Sequence, residues 1–487
     1  MIRAGQAAAA AAANAARTAV SRYFRRMCSA ARPLIAAGLW IAGGVASGAD
    51  LVAPAAKRLD AYFAALAQQQ FANGSIAISE KGVLRYQRSI GSESISPRGN
   101  EPTDAATRYR VGPVSQLFTA VLVMQLVEGA SVTLDSKLAE FYPDLPNALD
   151  ITYRDLLQHR SGLVNYTDGP DFETWRTTAR THADLLKIIE AGGAKFPPRQ
   201  RVEYNGTNYL LLGYVLEKIY ERSFDEIVQR QITGKLGLAR TYYAGNGITS
   251  LESTSYKIAP TGWVAQATTD PSIHGGAGGM ISTPADLVAF IDAVFTGKLV
   301  TPHSLESMRS QEGGSGMGLW PREIAGHTGY GQGGNSEGFS ACVYYFPDRQ
   351  LSISYAANAS ILSMDEIVDE TLSLVFERSR KPPSFESVKL TTHQQVDYTG
   401  TWRSAEGSPA QTPFRNFRRP DEPISLVVKA GVDAPLATIK DHEYPLRALG
   451  DHEFALRELG NFLRFNPRDD ELVIRGPEGS YYLRRAR

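Results

Sequence analysis

The chain has 487 residues, with 51 Lys and Arg against 51 Asp and Glu, 43% hydrophobic residues and two cysteines. Zero formal charge argues against a nucleic-acid binder, because neutralising phosphates calls for a basic excess or a dense basic face. A globular hydrophobic content with 9% aromatics excludes disorder over most of the chain. Two cysteines exclude a disulfide framework or a four-thiolate zinc site, and the length predicts two or three domains.

Residues 1–49 carry no Asp or Glu but six arginines, Arg3, Arg17, Arg22, Arg25, Arg26 and Arg32, ahead of an apolar run from Pro33 to Ala49. With small residues at Ser47 and Ala49, this reads as a signal peptide cut after Ala49. The alternative is an uncleaved anchor, since such a run can just cross a bilayer; Met27 also opens a plausible leader. Both place the body outside the cytoplasm, periplasmic or secreted, with the membrane a partner only if the leader stays. From Asp50 onward 45 basic and 51 acidic residues leave a net charge of −6, and Cys342 stands alone, as suits export without disulfides.

Residues 74–91 alternate apolar and polar positions about Lys81-Gly82, which predicts a hairpin. Gly112-Pro113 followed by VSQLFTAVLVMQLVEGA predicts a helix beginning near Pro113, apolar all round and therefore buried. A helical lobe is expected around residues 130–270, and residues 341–358 read as a second hairpin. The glycine-rich stretch 329–334 reads as a loop between strands and not as a phosphate cradle. After Lys381-Pro382-Pro383 the composition shifts, and from about residue 395 short β-type runs separated by turns predict an all-β module. The expected division is 1–49 leader, 50–380 body, 381–394 linker and 395–487 tail.

Several ordered segments carry a resemblance: YRVGPVSQLFTA, ITYRDLLQHRSGL, VEYNGTNYLLLGYVLEK, GGAGGMISTPADLVAFIDAVFTGKL and GHTGYGQGG. Over roughly residues 60–375 the chain resembles the serine β-lactamases, penicillin-binding D-alanyl-D-alanine carboxypeptidases and related esterases, most of all the class C and esterase branch. The tail resembles the small lipocalin-like β domain often appended to them. The resemblance implies an α/β fold, a central antiparallel sheet flanked by helices with a helical lobe, and no cofactor or metal.

It also implies three motifs around one cleft. The first, Ser-x-x-Lys, puts nucleophile and amine on one helix face. Here Pro113 stands at the serine position and Gln116 at the lysine position. The second, Tyr-x-Asn, is Tyr204-Asn205-Gly206, which keeps the tyrosine and loses the amide. The third is expected in its His form at His327-Thr328-Gly329, followed by Tyr330. Tyr204 and His327 are thus the candidate catalytic pair, and Pro113, Gln116, Gly206, Thr328, Gly329 and Tyr330 the candidate binding residues.

Acyl transfer needs a nucleophilic oxygen, a base and oxyanion donors. Pro113 removes the oxygen and a backbone N–H that serves this family as an oxyanion donor. Ser115, two residues on, points about 200° away toward the core, and Ser161, Ser282 and Thr283 read as turn and cap residues. Two Asp-His-Glu triplets, at 441–443 and 451–453, read as solvated turns of the tail and not as a metal site. Three functions follow. One is a non-acylating protein that binds a small-molecule or peptide ligand, peptidoglycan-derived ones included. The second is a hydrolase, isomerase or lyase using Tyr204 and His327, and the third a conventional serine hydrolase in another motif register.

Overall fold

A computed structural model describes residues 50–486 apart from 97–98, 246–251, 260–261, 384, 405–423, 440–441, 451 and 477–478. The expected leader, residues 1–49, lies outside the described residues. The chain enters through α1 (Val52–Gln68), whose Leu59, Phe63 and Leu66 are buried. A hairpin of β1 (Ala72–Glu80) and β2 (Val83–Ile90) follows. Lys81 and Gly82 both adopt positive φ, +55° and +75°, the turn that matches the twist of a two-residue hairpin.

At Gly112 the backbone turns at φ +47°, a left-handed conformation that glycine tolerates without Cβ strain. One 3₁₀ turn, Gly112–Val114, then leads into α2 (Ser115–Glu128), with Gly129 at its end. Eleven of its fourteen residues are buried, so the helix is packed on all sides and not amphipathic. Its Phe118 stacks on Phe290 at 3.9 Å.

The expected lobe contains short helices and the longer α3 (Gly206–Tyr220). Then come α4 (Pro271–Gly278) and α5 (Pro284–Phe295), the latter capped by Thr283, whose side chain accepts from Asp286 N–H. Four strands complete the body's sheet: β3 (Trp320–Ile324), β4 (His327–Ser336), β5 (Phe339–Phe346) and β6 (Leu351–Ser360). Its order is β3-β4-β5-β6-β1-β2, antiparallel throughout.

Both faces of this sheet are covered. One cluster joins α1, the sheet and α6 (Met364–Phe376) through residues such as Phe63, Ile76, Phe346 and Ile367. The other joins the opposite face to α2, α3 and α5 through Phe118, Leu211, Phe290 and Val343. The glycine-rich stretch 329–334 corrects the loop expectation, because β4 runs straight through it. Close neighbours explain the glycines there: a Cβ on Gly329 would come within 2.7 Å of the Phe346 ring.

The tail is a nine-stranded antiparallel sheet: β7 (Gly400–Ser404), β8 (Ser425–Lys429), β9 (Leu436–Ile439), β10 (His442–Pro445), β11 (Arg447–Gly450), β12 (Glu453–Leu456), β13 (Asn461–Asn466), β14 (Glu471–Gly476) and β15 (Gly479–Arg485). Its order, β10-β9-β8-β7-β15-β14-β13-β12-β11, curls it into a nearly closed barrel whose two edges are consecutive in the chain. Alternate residues such as Trp402, Leu426, Phe465 and Ile474 form one packed cluster. Phe71, at the end of α1, meets Phe462 of the tail edge-to-face at 5.0 Å, and Arg475 pairs with Glu366 of α6 at 2.8 Å.

Candidate functional site

The first turn of α2, the loop before α3 and the far half of β4 converge on one small region. Pro113 is half-buried at the start of the 3₁₀ turn, where its missing N–H leaves no intrahelical bond unmade. Strand β4 passes flush against its ring, since a Cβ on Gly334 would lie 2.6 Å from Pro113 Cγ. Only glycine allows that approach, and the ring fills the space beside the strand.

Three residues further on, Gln116 is fully buried. Its Nε2–H donates to Tyr204 OH at 2.8 Å, and its Oε1 accepts from Gln332 Nε2 at 3.1 Å. Gln332 is itself buried, and its Oε1 accepts from Gly333 N–H at 3.3 Å. The position expected of an ammonium is thus held by a neutral amide that links tyrosine to strand, with both of its polar atoms satisfied.

Tyr204 straddles the boundary: half of its surface is exposed, while its hydroxyl ends on buried Gln116. Burial of that end pushes the phenol up to about 12, with the Gln116 donor offsetting only part of the rise. At pH 7 the phenolate fraction is then about 10⁻⁵, too small for a resident general base. The cations at the adjacent Glu203 are paired: Lys195 Nζ contacts Glu203 Oε1 at 2.9 Å and Asp168 Oδ2 at 3.1 Å, and Arg201 contacts Glu203 Oε2 at 2.9 Å.

His159, from the HRSGL segment, packs on Tyr204 with ring centroids 4.9 Å apart. Its Nδ1 lies 3.1 Å from Asn205 N and 3.2 Å from Asn205 O, and its buried Nε2 has no partner among the described residues. Burial lowers its pKa to about 4, outweighing the Asn205 contact, so the ring is neutral at pH 7 and supplies no charge to Tyr204. Asn205 caps α3 by accepting from Thr207 N–H at 2.8 Å, and Gly206 N–H donates to Asn165 Oδ1 at 3.2 Å.

His327 is not part of this site. It lies on the same strand as Gln332 but five residues away, about 16 Å along β4, and an odd separation puts the two side chains on opposite faces. Its Nδ1 is 2.7 Å from Asp348 Oδ2, and its ring sits 4.4 Å from Phe376 of α6, on the far side of the sheet. The expected pairing of His327 with Tyr204 is therefore corrected, and with it the cleft role of the neighbouring triplet. Thr328 donates to Glu323, Gly329 faces Phe346, and Tyr330 packs in the α2-side core under Arg309. The strand positions that meet Gln116 and Pro113 are Gln332 and Gly334, with Gly333 between them facing Cys342 and Met364 on the other side of the sheet.

The other hydroxyls near α2 are committed elsewhere. Ser115, fully buried, accepts from Met280 N–H at 3.0 Å, and Ser161 donates to Asn208 Oδ1 at 2.5 Å. In the tail, His452 bonds Tyr398 OH, and Glu443 and Glu453 pair with Lys429 and Arg475. Among the described residues no group of three or more His, Cys, Asp or Glu side chains could hold a metal ion.

Comparison with known proteins gives a consistent picture. The family model described as Beta-lactamase matches residues 59–375. The chain is 26% identical over 250 residues to a teichoic acid D-alanine hydrolase of Staphylococcus aureus, an alignment covering 51% of this chain. It spans 60% of the length of that curated relative. Among solved structures it resembles a D-stereospecific amidohydrolase from Streptomyces sp., with 27% identity and a TM-score of 0.56 over 66% of this chain and 98% of that one. A penicillin-binding protein homologue from Pyrococcus abyssi, described as octameric, gives a TM-score of 0.60 at 20% identity, covering 88% of this chain and 99% of that one.

Proposed function

The chain belongs to the beta-lactamase family, and from that premise we propose that it is an exported member that forms no acyl-enzyme and holds a small acyl or peptide ligand in the inherited cleft. The observation that carries the reading is Gln116, a neutral amide bonded at once to Tyr204 and Gln332 where the family chemistry asks for an ammonium. Beside it Pro113 offers neither a nucleophilic oxygen nor an oxyanion-directed N–H. Losing one such donor alone costs about 3–4 kcal/mol of transition-state stabilisation, before the missing nucleophile is counted.

The similar proteins named for D-alanine hydrolysis and D-stereospecific amide hydrolysis point to a D-aminoacyl ligand, free or carried on a cell-wall fragment. Tyr204, half-exposed and protonated at neutral pH, is the donor and ring surface such a ligand would meet. Export rests on the arginine-rich leader; among the described residues no helix is long and apolar enough to cross a membrane.

Calorimetric titration with D-alaninamide and D-alanine methyl ester, with product followed in parallel, tests the reading. Saturable binding without turnover, weakened by Tyr204→Phe, is expected. Hydrolysis above the uncatalysed rate, or no binding by either compound, would overturn it.

A further inference from the structure

At the point where the tail barrel fails to close, a cavity of about 370 Å³ lies between the linker and the strand edges. Val388, Lys389, Asp433, Arg447, Arg457 and Glu458 line it. The linker runs along edge strand β11, Val388 N–H donating to Ala448 O at 2.8 Å, and so forms one wall. At the exposed rim Lys389 and Asp433 lie 3.5 Å apart and neutralise each other.

Three other lining charges, all half-buried, have no ion-pair partner among the described residues. Arg447 donates to Gln69 Oε1 at 2.9 Å and Arg457 to Gln70 Oε1, both neutral amides at the end of α1. Neither guanidinium meets a carboxylate among the described residues. Glu458 Oε2 is buried with no hydrogen-bond partner there. A buried carboxylate oxygen without a donor is costly, and guanidinium groups held only by amides keep donors for a carboxylate.

We propose that this seam cavity binds a small zwitterion of amino-acid to dipeptide size, its carboxylate on Arg447 and Arg457 and its ammonium on Glu458. The volume is at the lower end of small-molecule sites and suits such a molecule. Because both arginines also hold α1, an occupant would join the tail to the body. The inference is independent of the cleft reading.

The test is calorimetry on the full chain carrying Tyr204→Phe, which weakens binding in the cleft, and any cleft binding that remains is told apart by its indifference to Arg447→Gln and Glu458→Gln. The probes are dialanine, N-acetylalanine as the anion-only analogue and alaninamide as the cation-only analogue. One-to-one binding of dialanine is expected, at least tenfold tighter than either analogue. Arg447→Gln should weaken it tenfold or more, and Glu458→Gln should abolish the preference over N-acetylalanine while the melting temperature confirms folding. Absence of saturable binding, equal binding of all three probes, or indifference to both substitutions would overturn the proposal.

Discussion

His159→Asn isolates one electrostatic contribution beside the site. Asparagine tolerates the left-handed backbone at this position, φ +55°, and offers an oxygen to Asn205 N–H. It removes the titration together with the ring's packing on Tyr204 and Tyr209, a loss that does not vary with pH. In the folded chain burial holds His159 at about 4, against an ordinary value of 6.5. The unfolded chain therefore binds the extra proton between those values, and stability must fall as pH drops from 6.5 toward 4. The gap between the two values corresponds to about 3 kcal/mol. Urea unfolding of both proteins at half-unit intervals from pH 8 to pH 4.5 measures it. Other carboxylates titrate in the same window, so the quantity to read is the difference between the two curves. The native protein should lose about 2–3 kcal/mol more than the variant across this range. Parallel curves, within 0.5 kcal/mol or so, would show that His159 is solvated or partnered in the folded state and refute the reasoning.

Three further outcomes follow from the same geometry. Gly334→Ala should destabilise by about 1–3 kcal/mol because its Cβ meets Pro113 Cγ at 2.6 Å. Pro113→Ala in the same chain should recover part of the loss, and a strictly additive double-mutant cycle would contradict the contact. Gln116→Leu leaves Gln332 Nε2–H without its acceptor and should cost about 2 kcal/mol in chemical denaturation, partly restored by adding Gln332→Leu. Burial raises the Glu337 carboxyl, but His274 and Thr269 outweigh it and hold it at about 2. Its stabilisation is therefore complete above the ordinary carboxylate range and lost as pH falls from there toward 2. Glu337→Gln should remove that acid-range loss while lowering stability at pH 7.

The local signals in the sequence were strong where they coincide with a backbone requirement. Lys81-Gly82 marks the first hairpin because a two-residue turn needs positive φ, and Gly112-Pro113 marks the entry to α2 for a similar reason. Pro284 marks a cap at Ser282 or Thr283 in the sequence, and the structure gives it to Thr283. The third motif lies away from the triplet whose letters match it, because two glycine-containing triplets lie on one strand. His327-Thr328-Gly329 matches the expected letters, but strand parity and a distance of five residues bring Gln332 to Gln116 and Gly334 to Pro113. Glycine also weakens any strand signal, which is why residues 329–334 read as a loop. Their need for glycine comes from Phe346 and Pro113, neighbours that no local pattern reveals. His159 was silent for the same reason, since its contact with Tyr204 spans 45 positions.

Covalent labelling decides whether the acylation route is closed. The purified chain would be incubated with a fluorescent penicillin and, separately, a fluorophosphonate, and its intact mass measured. An unchanged mass with both reagents is expected, because Pro113 carries no nucleophile and Ser115 is buried against Met280. A stoichiometric adduct mapping to a serine beside Tyr204 would contradict the proposal.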